Sequence, residues 1–278
     1  MTNQLFLSHA HAMDPRSLPA WNALLSSWDA RLLTFTLVVI VPTLGYLRFR
    51  RLETQTDLVA SSRRKLTVYA RIILVQWFLV AAMLLVGWRH GLSAADLGER
   101  FADARLTLGV TAALVAIVAV VLAIILGRRR HPRPQAHTAT VDRMRKLMPA
   151  SGPEWAAFAL VCITAGVCEE LLYRGWLVSI LRVGTGSVWV AVGIASAIFG
   201  IGHAYQGAKG MLRTGLVGLQ LALLFVYVDS LIPGQVLHAA VDIVAGFALA
   251  GKPQANTASP EGGTLIAQDA SPGTTRSI

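Results

Sequence analysis

The chain is 278 residues long, 54% hydrophobic and only 14% charged, where a soluble domain averages about half apolar and about a quarter charged. That balance excludes an ordinary water-soluble globule, and the apolar residues gather in runs of roughly 18 to 22, enough to cross a bilayer core as helix. The net charge of +10 does not indicate a nucleic-acid partner, because the cations stand between the apolar runs, where they set topology.

Backbone polar groups cannot go unpaired in lipid, so spanning segments are helices or closed barrels. The runs lack strict period-two alternation, and the expected fold is all-α: a polytopic transmembrane helix bundle of about seven spans, with eight as the alternative count. Residues 1–30 form an N-terminal segment with no basic start followed by an apolar core, and they carry Asp14 and Asp29, so no cleavable signal peptide is read. Residues 31–150 hold three spans, Leu32 to Leu47, Leu66 to Val86 and Leu106 to Leu126, with their basic loops. Residues 151–250 hold four more: Trp155 to Leu181, Val188 to Gly202, Gly210 to Val228 and Leu231 to Ala250. The first of these four is unusually long, and its half after Gly175 is expected to tilt or lie at the interface. His131 to Thr140 reads as a mobile loop, and residues 251–278, rich in Gly, Pro, Ser, Thr and Ala, as a disordered tail.

Counting cations orients the chain. The first connection carries Arg48, Arg50, Arg51, Arg63, Arg64 and Lys65, and the third carries Arg128, Arg129, Arg130, Arg133, Arg143, Arg145 and Lys146. In the second, Arg89, Arg100 and Arg105 are balanced by Asp96, Glu99 and Asp103. Odd connections are therefore cytoplasmic, with the N-terminus outside and the C-terminal tail inside. Cys162 and Cys168 lie six apart in one run, facing different ways on a helix, and are expected to pack rather than pair. Trp77, Trp88, Trp155 and Trp176 read as interface or packing aromatics, and Asp229 as interfacial.

Ionisable residues inside a spanning helix cost about 2.5 to 3.5 kcal/mol each on insertion scales and are functional hypotheses by default. Here they concentrate in the C-terminal half: Glu169, Glu170 and Arg174 in the fourth span, His203 at the end of the fifth, and His238 and Asp242 in the seventh. Arg71 and Arg213 stand near span ends, from which long side chains snorkel. Glu170 and Arg174 are four apart with the acid first, the favourable order for an ion pair on one helix face. Glu169, about 100° round the helix, has no such local partner and is the better general base. Glu169 is thus read as chemical and Glu170 as structural. His238 and Asp242 also share a face; the acid either fixes the imidazole or joins it in stabilising developing charge. Phe199 stands four before His203, where its ring can wall one side of that histidine, and Gly200, Gly202 and Gly207 permit close helix approach.

Taken singly, each of these has a bland reading: a histidine that hydrogen-bonds in packing, or a structural Glu–Arg pair. Together they read as one site, suited to a hydrolase that activates water or to a transporter coupled to protons or cations. Zinc-helix, paired-aspartate and serine–histidine protease patterns are missing, and no internal repeat of the transporter kind is evident.

The three clusters, in order, read EExxxR at Glu169–Arg174, FxxxH at Phe199–His203 and HxxxD at His238–Asp242. They resemble the three motifs of the CAAX-protease and bacteriocin-processing family, also called Abi; the stretch AGVCEELLYRGWL is close to its first motif. The resemblance implies a membrane-embedded endopeptidase, of metalloprotease or glutamate type, in the catalytic membrane domain 151–250. It implies that Glu169 activates water with help from His203, and that His238 and Asp242 stabilise the oxyanion. It admits zinc, with Glu169, His203 and His238 as candidate ligands, and equally a metal-independent glutamate mechanism. The implied partners are a lipid bilayer and a membrane protein or peptide, lipid-modified CAAX-like termini included, with no nucleic acid. The implied location is the bacterial cytoplasmic membrane. The non-enzymatic rival is a membrane scaffold or bacteriocin-immunity protein with the same fold.

Overall fold

A computed structural model describes residues 16–53, 62–128 and 144–250, and all described regular structure is helical. The readings of His131 to Thr140 as a mobile loop and of 251–278 as a disordered tail lie outside the described residues, as do Asp14 and four of the loop arginines. Eight helices carry the architecture: α1 Leu18–Ser26, α2 Trp28–Arg51, α3 Ser62–Arg89, α4 Ala104–Arg128, α5 Gly152–Thr185, α6 Val188–Gly202, α7 Gly207–Val228 and α8 Ile232–Leu249.

All seven expected apolar segments are helices. Six of them are long and apolar enough to cross a membrane. The seventh, α6, has 15 residues, or roughly 22 Å at 1.5 Å per residue, against a hydrocarbon core of about 30 Å. Its bounds are those read from the sequence, and local chemistry explains them. Gly186 ends α5 with φ 69°, a left-handed C-terminal cap that suits glycine. The Ser187 side chain then accepts from the Val190 N–H to open α6.

The longest helix is the centre. α5 runs 34 residues, and over Leu171–Val178 it unwinds into π-helix in which every residue is buried. The half after Gly175, expected to tilt or lie at the interface, thus begins enclosed by protein. Trp176 and Leu177 are fully enclosed, because α1 and α6 pack on this half while α3 and α8 flank the half before it. α1 had no counterpart in the sequence reading. Its Trp21 is fully buried with its ring centroid 5.8 Å from that of Trp176, and the Trp176 indole donates to Thr34 Oγ1 at 3.2 Å.

Two polar clamps fasten the N-terminal helices to the C-terminal ones. Lys65, counted above among the loop cations, is buried instead: its ammonium lies 3.1 Å from Glu154 Oε2 and donates to the Met148 carbonyl, while Ser62 donates to the same glutamate. The second clamp joins the turn after α3 to the start of α8. Leu231 N–H donates to Gly98 O at 2.9 Å, Arg100 pairs with Asp229, and Gln235 donates to Glu99. Asp229 is thus engaged with Arg100 rather than only with the interface. Gly98 sits here at φ +92°, and a Cβ on it would come within 2.6 Å of the Phe225 ring; both facts demand glycine. The two cysteines are buried and free, as their spacing implies.

Candidate active site

Four helices meet at the site. α5 brings Glu169, Glu170 and Arg174; α6 brings Phe199 and His203; α8 brings His238 and Asp242; and α3 adds Gln76. The π-helical stretch starts at Leu171, directly after the two glutamates. Such windings add a residue per turn and concentrate at functional sites; here Tyr173, Arg174 and Trp176 all end up inside the protein.

Glu170 is the anchor. It is fully buried, and its Oε1 accepts from Arg174 Nη1 at 2.7 Å and stands 2.9 Å from His238 Nδ1. The expected Glu170–Arg174 pair is present, and it extends to a third member. Arg174 is also buried: Nη2 donates to the Gly218 carbonyl at 2.9 Å, and its guanidinium lies 4.4 Å from the centre of the Phe199 ring, a cation–π contact. Gly218 leaves room for this, since a Cβ there would be 2.9 Å from that ring. A buried ion pair gains when its remaining polar atoms are satisfied; Gly218 and Phe199 supply that for Arg174, while Glu170 Oε2 is buried without a hydrogen-bond partner.

The histidine of α8 is therefore oriented by Glu170 and not primarily by Asp242. A carboxylate only accepts, so His238 Nδ1 donates to Glu170, and Nε2 faces the other two acids. Glu169 Oε2 lies 3.9 Å from it and Asp242 Oδ2 3.7 Å. Both separations exceed a hydrogen bond and are of the kind one water bridges. Asp242 fails to lock the ring because its carboxylate sits one helical turn on, with 40% of its side chain exposed, whereas Glu170 approaches from the packed face of α5 at 1%.

Glu169 differs in its donor. Its Oε1 accepts from the neutral Gln76 side-chain amide at 2.8 Å, and its Oε2, like that of Glu170, is buried without a hydrogen-bond partner. Leaving a buried acceptor unmade costs about 1–3 kcal/mol, so the arrangement suits binding better than stability. Gln76 was not among the sequence candidates. A signal existed: it is the single amide or charged side chain between Arg71 and Arg89 in α3.

His203 ends α6 and is held locally, with Nδ1 2.9 Å from the Phe199 carbonyl. The Phe199 ring lies between the two histidines, 4.8 Å from His203 and 5.9 Å from His238, and so walls His203 as its spacing suggests. No hydrogen bond or ion pair joins His203 to Glu169 among the described residues; the imidazole in that position is His238. Of the three glycines around His203, Gly200 serves helix approach, since a Cβ there would meet Met211 O at 2.8 Å. Gly207 serves the turn before α7 through its φ of +76°.

The carboxylate and imidazole donors suit zinc chemically. Among the described residues, however, no three His, Cys, Asp or Glu side chains converge closely enough to hold an ion. The set does not form a ligand cage as it stands, and no step below is routed through a metal.

Residues 151–244, about a third of the chain, match the family model described as Type II CAAX prenyl endopeptidase Rce1-like. No curated protein and no solved structure matches the chain significantly. The matched stretch contains all three motifs and the buried triad; over it the chain is similar to the Rce1-like branch of the CAAX-protease family, and its six long apolar helices fit an integral, multi-pass membrane protein.

Proposed function

We infer that the chain is an intramembrane endopeptidase that hydrolyses a peptide bond near the membrane-embedded end of a protein or peptide, with Glu169 as the base. The observation that carries this reading is the unpartnered Glu169 Oε2 facing His238 Nε2 across 3.9 Å, a separation that one water can bridge. In the proposed step Glu169 takes a proton as the water oxygen bonds to the substrate carbonyl carbon. The C–N bond then breaks and the proton passes to the leaving nitrogen. A protonated His238, held by Glu170 through Nδ1, donates from Nε2 to the developing oxyanion. Asp242 supports that charge as an acid or through His238. His203 lines the same site beside Phe199, and Glu170 with Arg174 holds the frame. A lipid-modified, CAAX-like terminus is the natural substrate for a base so enclosed by helices.

The test compares protein termini in membranes of cells making the wild-type or the Glu169→Gln chain. Loss of a defined set of new termini, with protein level unchanged, supports the reading, and Glu170→Gln is expected to retain cleavage per folded molecule. Unchanged termini in Glu169→Gln favour the scaffold. Chelator inhibition of the purified protein, reversed by zinc alone, brings a metal into the step; full activity of metal-stripped protein leaves it out.

A further inference from the structure

We propose that Gln76, on a helix outside the matched residues 151–244, is a positioning residue for Glu169: its amide holds one carboxylate oxygen so that the other is presented to the reacting centre. This rests on Glu169 acting as the base.

α3 is long and apolar enough to cross a membrane, and a lone amide in such a helix is costly unless partnered. Gln76 Nε2 has a partner, Glu169 Oε1 at 2.8 Å, but its own Oε1 is buried with none. A leucine of similar volume would abolish that unmet acceptor. A residue that breaks a local rule of this kind is the pattern expected at a functional site. The consequence for Glu169 is geometric. One fixed donor stops rotation about the terminal carboxylate bond, so Oε2 stays toward His238 Nε2. The donor is neutral, whereas Glu170 is tied to a guanidinium at 2.7 Å. Glu169 is therefore held by a neutral amide and not by a guanidinium, and the two neighbouring glutamates are set to different tasks by the two kinds of donor.

The experiment uses the full chain in lipid nanodiscs with a quenched-fluorescence farnesylated CAAX peptide as probe. Gln76→Leu is expected to lower kcat at least tenfold, to leave KM within twofold, and to keep or raise the thermal midpoint, with Gln76→Asn recovering part of kcat. Wild-type kcat in Gln76→Leu overturns the proposal, as does a loss of kcat that follows a loss of stability. A second measurement needs no substrate. The infrared carboxylate band of Glu169, identified as the one lost in Glu169→Gln, is expected to shift in Gln76→Leu, and an unmoved band overturns the proposal. If wild type does not cleave the peptide, or Glu169→Gln cleaves it equally, the protease reading fails on its own, and the infrared band still decides whether Gln76 holds Glu169.

Discussion

The two helices that differ most in this protein are α4 and α5, and their order by hydrophobicity is the reverse of their order by burial. The apolar stretch of α4 has a mean hydropathy of 3.0 and none of it is buried in the protein, while that of α5 has 1.7 and is 44% buried. In water the more apolar helix would be the core. In a bilayer the lipid is as apolar as leucine, so apolarity marks contact with lipid, and the enclosed helix is the one with polar groups to satisfy. α4 rests mainly against α8, whereas α5 is wrapped by α1, α3, α6 and α8 around its buried Glu170 and Arg174.

The sharpest way to break that contrast is to remove one member of the buried pair. Arg174→Met leaves Glu170 enclosed with His238 as its remaining partner, and is expected to cost about 3–5 kcal/mol in unfolding titrations in detergent. Among the described residues α4 has no buried ion pair to break, and so no comparable substitution. Next come matched apolar truncations. Leu177→Ala in α5, at a fully buried side chain, is expected to cost about 2–5 kcal/mol. Ile117→Ala in α4, at a side chain 59% exposed, is expected to stay within about 0.5 kcal/mol. Equal losses at the two sites would mean that α4 is covered in the membrane, for instance by a second copy. The smallest contrast is at glycines. A Cβ on Gly166 of α5 would lie 2.6 Å from the Gln235 carbonyl, whereas one on Gly109 of α4 meets nothing within 4 Å. Gly166→Ala is expected to destabilise by about 1–3 kcal/mol, and Gly109→Ala to stabilise by about 0.5 kcal/mol through helix propensity, both read from the same titrations.

What the sequence made legible follows the same division. Every apolar segment could be located, because the hydrocarbon core sets a length and excludes charge. The Glu170–Arg174 pair and the Phe199–His203 ring contact could be read, because each joins residues four apart on one helix face. The partners that cross between helices could not. His238 is oriented by Glu170, 68 positions away in the chain, and not by its helical neighbour Asp242. Lys65 looks like a loop cation until Glu154 is placed beside it, and Gln76 has no helical neighbour that marks it. Spacing encodes which residues share a face, but not which faces meet. The π-helical turn adds to this, since it changes which face the residues after Leu171 present.

The shortness of α6 has a consequence for the lipid as well as for the protein. A segment that falls short of the hydrocarbon thickness is accommodated by thinning the bilayer around it, and α6 ends in His203, at the site itself. Such a dimple would bring the headgroup layer and its water toward the end of α6, where His203 stands. The lipid around so short a helix then belongs to the surroundings of the candidate site, and hydrophobic mismatch is one way for water to approach groups that the longer helices alone would keep in the hydrocarbon.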